Sequence, residues 1–294
     1  MSDIWSDWLE KRRFGGDQSY KQMALEHVKS IALKIIDRAE ISESNVVLDI
    51  GAGDGLLGLT ALERLGRKGK LILSDFSEHA LAIPKQIFEG SRIKDNRVSF
   101  LIDNAENLSI SSNSIDRVLM RAVLLYIDKK QDVFNEIYRI LKPGGIAVLL
   151  DPINQRNLEF GENLFRGYPL DVEPLLTVKP LLLKISKELY NYIPKSFCDY
   201  TEHDLAHFCI QSGFKDLRLE YYLSYNNQSR YTSSKAFFDI ATNPLSPTLS
   251  EIMKKILTPE DFELTKSILE EVIQKPAIRA SSEALFVLRK HEVS

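Results

Sequence analysis

Apolar positions along the chain alternate between helical and strand spacing. Residues 18–39 place Ala24, Val28, Ile31 and Ile35 on one face, which predicts an amphipathic helix. Residues 46–50 follow as a short apolar strand, closed by the loop Gly51-Ala52-Gly53-Asp54-Gly55. A helix over 56–65 leads to a second strand, 70–74, ending at Asp75. The next helix spans 78–89, and Pro84 limits or kinks it, because proline removes a backbone donor. Strands are predicted at 97–102 and 115–120. A helix over 129–141 then puts Val133, Phe134, Ile137, Tyr138 and Leu141 at helical spacing. Lys142-Pro143-Gly144-Gly145 stops that helix and turns the chain into a fifth strand, 146–150. Apolar strands alternating with helices predict a parallel sheet covered on both faces.

After Asp151-Pro152 the rhythm changes. Residues 155–200 carry Pro169, Pro174, Pro180 and Pro194 among many Leu and Tyr. Thr201 with Asp204 three residues on is a capping-box signature, and the helix it starts ends at Gly213. A long strand is predicted at 214–225 and a last one at 284–288. Between them 228–281 looks helical, with Leu249, Ile252, Met253, Ile256 and Leu257 on one face and Thr258-Pro259-Glu260-Asp261 as a helix start. The expected organisation is an N-terminal helical lid segment (1–40), a core (41–152), a lid insertion (153–200) and a C-terminal part of the core (201–294) interrupted by a helical insertion (226–282). The insertions are expected to form an apolar cover over the functional edge of a seven-stranded, mostly parallel α/β sheet. Residues 1–17 and parts of 155–195 are expected to be mobile without ligand.

Composition narrows the function. With 38 Lys+Arg against 41 Asp+Glu and no like-charge block, the chain lacks the basic surface that nucleic-acid binding requires. Cys198 and Cys209 form no Cys-x-x-Cys pair and suggest a reducing compartment. Charges at Asp3, Asp7, Glu10, Lys11, Arg12 and Arg13 interrupt any signal-like run, and no stretch reaches the length of a membrane span. The expectation is a cytoplasmic protein with no membrane and no nucleic-acid partner. The Leu- and Tyr-rich segment 170–193 is read as lid core. His203 and His207 share a helix near Cys198, but no third ligand accompanies them, so no metal is expected.

In an open parallel sheet, ligands bind beyond the carboxyl ends of the strands, where glycines let the backbone approach closely. Gly51 and Gly53 suit that role. Leu56 stands where a dinucleotide fingerprint needs its third glycine, which counts against a nicotinamide-dependent oxidoreductase.

The series Asp49, the glycine loop, Asp75, Asp103-Asn104-Ala105-Glu106 and Lys142-Pro143-Gly144-Gly145 resembles the successive motifs of class I S-adenosylmethionine-dependent methyltransferases. That resemblance is strong over about 45–152 and weaker over 201–225. It implies a Rossmann-like fold and S-adenosylmethionine as cofactor. It further implies that Asp75 accepts from the ribose hydroxyls, that Phe76 lies against the adenine, and that Asp103 to Ala105 contact the adenine amino group. The family often shows Gly-Asp-Ala-Glu at that loop; here Asn104 takes the acidic position, and either its amide oxygen or Asp103 is the candidate acceptor. Asp49, Gly51, Ala52 and Gly53 complete the candidate cofactor contacts.

A narrower resemblance joins Trp5, Trp8, the run Arg12 to Asp17, Arg121 to Tyr126 and Asp151 to Asn154. These look like a group of bacterial methyltransferases found beside natural-product genes. Arg121, just after strand four, would pair bidentately with the methionine carboxylate. The Arg12–Asp17 run would fold over the cofactor, with Asp17 capping the first helix. The implied substrate is a small metabolite or a peptide-derived natural product, methylated at oxygen, nitrogen or carbon. A hydroxyl or ammonium acceptor must also lose a proton, for which Asp151, Asn154 and His203 are the candidate bases. A non-catalytic cofactor-binding partner protein is the remaining alternative, and the oligomeric state is open.

Overall fold

The computed structural model describes residues 3–90, 96–161, 163–227, 231 and 233–291 of the chain. A short helix α1 (Ile4–Asp7) runs into a π-helical turn, Trp8–Arg12, and then into α2 (Gln18–Ala39). Asp17 caps α2 by accepting from the Tyr20 amide at 2.8 Å.

The alternating stretch follows as β1 (Val46–Ile50), α3 (Leu56–Leu62), β2 (Lys70–Asp75), α4 (Glu78–Gly90), β3 (Val98–Ile102), β4 (Ile115–Arg121), α5 (Lys130–Ile140) and β5 (Leu141–Pro152). Pro84 lies inside α4 without ending it. The fifth strand starts at Leu141, earlier than predicted, because Leu141 already pairs with Ile115 and the register then shifts before Ile146 meets Arg117. Lys142 to Gly145 form that irregularity. The Gly144 amide and the Gly145 carbonyl bond to Lys290, tying the loop to the last strand at the end of the sheet remote from the glycine loop.

The first insertion contains α6 (Asn154–Phe160), a hairpin of β6 (Leu164–Phe165) and β7 (Tyr168–Pro169), and α7 (Leu175–Tyr190). Next come α8 (Glu202–Gln211), with the predicted Thr201–Asp204 capping box, and β8 (Asp216–Asn226). The second insertion holds α9 (Ser234–Asp239), α10 (Leu249–Ile256) and α11 (Pro259–Val272), and β9 (Arg279–Arg289) closes the fold.

The seven-stranded sheet has the order β3-β2-β1-β4-β5-β9-β8. Neighbours from β3 to β5 are parallel, and β9 is antiparallel to both β5 and β8. This is the Rossmann-like sheet expected, with the order reversing between β1 and β4. On one face Leu48, Ile50, Val118 and Met120 meet Phe134 and Ile137 of α5 and Leu205 of α8. On the other, Val47, Leu71, Leu73 and Val148 meet Ile31, Ile35 and Ile36 of α2 and Leu57 of α3. These residues are nearly free of solvent, and each buried Leu or Ile stabilises the fold by about 1.5–3 kcal/mol.

The two insertions pack on each other. Phe165, Tyr168, Leu175, Val178, Leu182 and Ile185 share a separate apolar core with Phe237, Leu249, Ile252, Met253, Leu269 and Val272. Phe14, Tyr20, Ala24 and Leu25 join that core, whereas the later turns of α2 pack on the sheet. The expected boundary at residue 40 therefore gives way to one inside α2, and the strap proper is 3–17. The helix carries apolar residues on successive turns, so one rod serves both cores.

Candidate active site

A cleft of about 440 Å³ opens at the carboxyl ends of β1, β2 and β4. The glycine loop forms its floor. Gly51 has a φ of +67°, and a Cβ there would stand 2.4 Å from Val123 Cγ2, so only glycine lets the loop after β4 close down. The Ala52 amide donates to the Ser74 carbonyl at 2.9 Å, and the Gly53 amide donates to Asp75 Oδ2 at 2.9 Å. The glycine loop is thereby buckled to the end of β2.

Asp75 lines the cleft and is 8% exposed. Its Oδ1 accepts from the Ser77 amide at 3.0 Å. Burial raises its pKa above the ordinary carboxylate value, and the amide hydrogen bonds oppose that rise. A carboxylate has about four acceptor positions, so two amide donors leave capacity toward the cleft. Phe76 is 56% exposed beside it, with its ring edge-on to Trp5.

Asp103, Asn104 and Ala105 also line the cleft, and the loop is self-braced. Asp103 Oδ2 accepts from the Ser109 amide at 2.7 Å, and Asn104 Oδ1 accepts from the Glu106 amide at 3.0 Å. The Ser109 hydroxyl also donates to Asp103 Oδ2 at 2.9 Å, so that oxygen is fully engaged, while Asn104 Oδ1 keeps a second lone pair.

Arg121 ends β4 and turns into the cleft. Its guanidinium makes no hydrogen bond or ion pair among the described residues. Burial lowers its pKa, Arg13 repels it, and Asp54, Asp49 and Asp151 attract it from beyond contact distance. A half-buried guanidinium without a protein partner leaves its donors directed at the cleft. Ala122 follows in the left-handed region at φ +55°, and its amide bonds to the Leu150 carbonyl at 2.9 Å. The chain then enters a 3₁₀ turn, Leu124–Tyr126, whose first amide donates to Asp151 Oδ1 at 3.0 Å. Tyr126 reaches the cleft, and burial raises the pKa of its phenol.

Asp49 lies below the floor rather than in it. It is 1% exposed, and its Oδ2 accepts from the Gly58 amide at 2.8 Å. A Cβ on Gly58 would stand 2.3 Å from Leu73 Cδ2, so Gly58 brings α3 against the sheet. That is the packing role of the third glycine in a dinucleotide loop, displaced to residue 58. The run Gly-Leu-Leu-Gly at 55–58 carried the signal.

The cover of the cleft comes from the N-terminal strap. Asp3 caps α1 and accepts from the Ser77 hydroxyl. Trp5 lies edge-on between Phe76 and Tyr126, with ring centroids 5.1 and 4.7 Å away. Arg13 Nη1 pairs with Asp54 Oδ2 at 2.9 Å, and its guanidinium lies over Trp8 and Phe14. Trp8 Nε1 donates to the Ala241 carbonyl at 2.8 Å, and the Ala241 amide returns to Arg12.

Among the described residues, none of 152–282 lines this cleft. The expectation that the insertions wall it is corrected: they bury their apolar faces in each other. The three candidate bases are also absent from the lining. Asp151 is 1% exposed, with Oδ2 unpartnered and its pKa pushed up to about 7 by burial. Asn154 starts α6, where its Oδ1 accepts from Asn157, and His203 stands exposed in the first turn of α8. Asp151 instead holds the turn that carries Tyr126. Among the described residues no group of three or more His, Cys, Asp or Glu could hold a metal.

The sheet order, the glycine floor, the acid after β2 and the half-buried cation after β4 shape a Rossmann-like α/β domain with its cleft at the switch point of the sheet. Residues 41–178 match the methyltransferase domain family. The chain is 34% identical over 116 residues to the ubiquinone/menaquinone biosynthesis C-methyltransferase UbiE of Hydrogenovibrio crunogenus, covering 40% of this chain and 45% of that protein. It thus spans less than half the length of that relative. It is 27% identical over 195 residues to the demethylmenaquinone methyltransferase of Oceanobacillus iheyensis, covering 66% of this chain and 79% of that one. Among solved structures it resembles phosphoethanolamine N-methyltransferase 2 of Haemonchus contortus, determined with S-adenosylhomocysteine and phosphomonomethylethanolamine. The TM-score is 0.51 and the identity 17%, over 90% of this chain and 53% of that one.

Proposed function

We propose that the chain binds S-adenosylmethionine in the cleft between the glycine loop and the strap and transfers its methyl group to a small organic acceptor. The observation that carries this reading is Arg121, a half-buried cation without a protein partner among the described residues, in the same cleft as Asp75 and the glycine floor. Arg121 would hold the methionine carboxylate, Asp75 the ribose hydroxyls, and Phe76 with the 103–105 loop the adenine. The bound cofactor supplies an electrophilic methyl on a sulfonium. Trp5, Trp8 and Arg13 exclude water from above, and a closed site holds the acceptor in line with the transferring group.

The lining contains no histidine, and none of Asp151, Asn154 and His203 reaches it. The lining does hold carboxylates, Glu106 and Asp128 among them, so the bases at hand are weak ones, which suits an ionised phenol or an electron-rich ring carbon. The two relatives named for quinone methylation support carbon as the acceptor atom. A small metabolite with an ionisable aromatic ring is therefore the favoured substrate class, and a peptide-derived natural product is the second.

Calorimetry with S-adenosylhomocysteine and NADH tests the cofactor; binding of NADH alone would refute the reading. Incubation with S-adenosylmethionine carrying a labelled methyl tests catalysis against panels of hydroquinones, phenols and peptides. Cofactor binding without label transfer to any panel would leave the non-catalytic partner protein as the better account.

A further inference from the structure

The segment 170–193 divides into two faces. Inward, Leu175, Val178, Leu182 and Ile185 of α7 are buried in the core shared by the insertions. Outward, Val172, Leu176, Leu183 and Tyr190 are each between 46% and 57% exposed, and Pro180 is exposed with them. The Leu176 amide donates to the Val172 carbonyl at 3.2 Å, which fixes Val172 at the start of the helix. Positions 176, 180, 183, 187 and 190 advance by four, three, four and three residues. They therefore form one stripe about 21 Å long on the outer side of the helix, with Val172 exposed just before its first turn.

Along α7 itself the charges on this face are basic, with Asp171 and Glu173 exposed just before its first turn. Lys187 lies in the stripe, Lys179 borders one side and Lys184 the other. The ammonium groups of Lys179 and Lys187 have no protein partner among the described residues, and Lys184 donates to the Ile256 carbonyl at 2.7 Å. Glu188 is turned aside and paired with Lys255 of α10 at 2.8 Å. A local excess of lysine on a chain of formal charge −3 is a specific feature of this helix. An apolar stripe with lysines beside it fits the boundary of a lipid bilayer, where aliphatic side chains enter the acyl region and lysine stems carry their ammonium groups to the headgroups. A second copy of the chain fits less well. An antiparallel pairing centred near Leu183 would set Lys187 of each copy against the partner's Lys179 with no carboxylate between them.

We propose that the outer face of α7 is a docking surface for an anionic lipid bilayer, lying flat in the interface. No helix of the described residues is long and apolar enough to cross a membrane, so attachment through this face is peripheral. The proposal is independent of the methyltransferase reading and revises the expectation of no membrane partner.

The test is flotation of the full-length protein with vesicles of pure phosphatidylcholine and with vesicles containing about one-third phosphatidylglycerol. Wild type should float with the anionic vesicles and far less with the neutral ones. Lys187→Gln should lower the partition coefficient about fivefold, as expected for one basic residue near such a surface. Leu176→Ser with Leu183→Ser should abolish flotation, while an unchanged melting temperature verifies the fold, since both side chains are exposed. Absence of wild-type flotation with anionic vesicles would overturn the proposal, as would flotation that the serine variant retains. A concentration-dependent dimer in light scattering, dissolved by the same serine variant in the absence of lipid, would make the face a subunit interface instead and refute the proposal.

Discussion

Replacing Arg121 by Met retains an unbranched apolar stem and removes the guanidinium. Two effects of opposite sign should follow. Truncating one partner of a desolvated charge pair costs about 2–5 kcal/mol of affinity. The cleft is open on one side and Arg13 is near enough to interact with Arg121, so the lower part of that range applies. A loss of about 2–3 kcal/mol corresponds to about a 30- to 150-fold rise in Kd for S-adenosylhomocysteine. The free protein should move the other way. Its guanidinium is half-buried, repelled by Arg13 and without a hydrogen-bond partner among the described residues, with only distant attraction from Asp54, Asp49 and Asp151. Relieving that burial is worth about 1 kcal/mol, or roughly 2–4 °C in Tm for a chain of this size. Isothermal titration and differential scanning calorimetry read the two quantities. The control ligand is 5′-methylthioadenosine, which keeps adenine, ribose and sulfur but lacks the carboxylate; its Kd should be the same for wild type and Arg121→Met. An equal loss for both ligands, or an unchanged Kd for S-adenosylhomocysteine, would show that Arg121 does not hold the carboxylate.

Asp75→Ala should weaken S-adenosylhomocysteine and 5′-methylthioadenosine alike by about 1–3 kcal/mol, since both contain the ribose, with the fold retained; an unaltered Kd in calorimetry would place the ribose elsewhere. Asp49 and Asp151 both have pKa values pushed up to about 7 by burial, above the ordinary 3.8, so the folded state holds more protons than the unfolded one between those values. Their contribution is fully present below about pH 4 and is lost as pH rises through 7, at up to about 1.4 kcal/mol per pH unit for each group. Glu220, lowered to about 2 chiefly by its hydrogen bond to Arg38, acts only below its ordinary 4.5, so the fall in stability toward neutral pH comes from the buried carboxylates, Asp49 and Asp151 with Asp75 raised in the same direction. Urea unfolding should give lower stability at pH 8 than at pH 5, with a shallower slope in Asp151→Asn; a flat wild-type profile would contradict the assignment. Hydrogen exchange should show residues 3–17 gaining protection when S-adenosylhomocysteine binds, because Trp5 and Arg13 line the cleft. Residues 155–195, whose apolar side chains fill a separate core, should not change; equal protection of 3–17 in both states would make the strap a rigid wall.

The sheet was legible in the chain because its information is local. Five apolar strands, the glycine loop and the acids at strand ends each follow from period and turn chemistry within a dozen residues. The same holds for the capping box at Thr201 and the helix start at Thr258. Arg121 was legible by its place after a strand, but its lack of a partner was not, since that depends on every side chain folding around it. The order of β8 and β9 and the sharing of one core by two insertions arise from contacts across a hundred residues, which no local period encodes. The cleft wall was assigned to the insertions because their side chains are apolar, yet apolar surface specifies only that burial occurs, not against what. Tertiary packing spent those faces on each other and left the cover to Trp5, Trp8 and Arg13. Asp151 moved for the same reason: its position at a strand end suggested chemistry, and the turn folded over it made it a buried support. Sequence by itself determined the elements and the cofactor-binding edge; only the packed structure decided which side chains face the ligand, because facing is a property of neighbours.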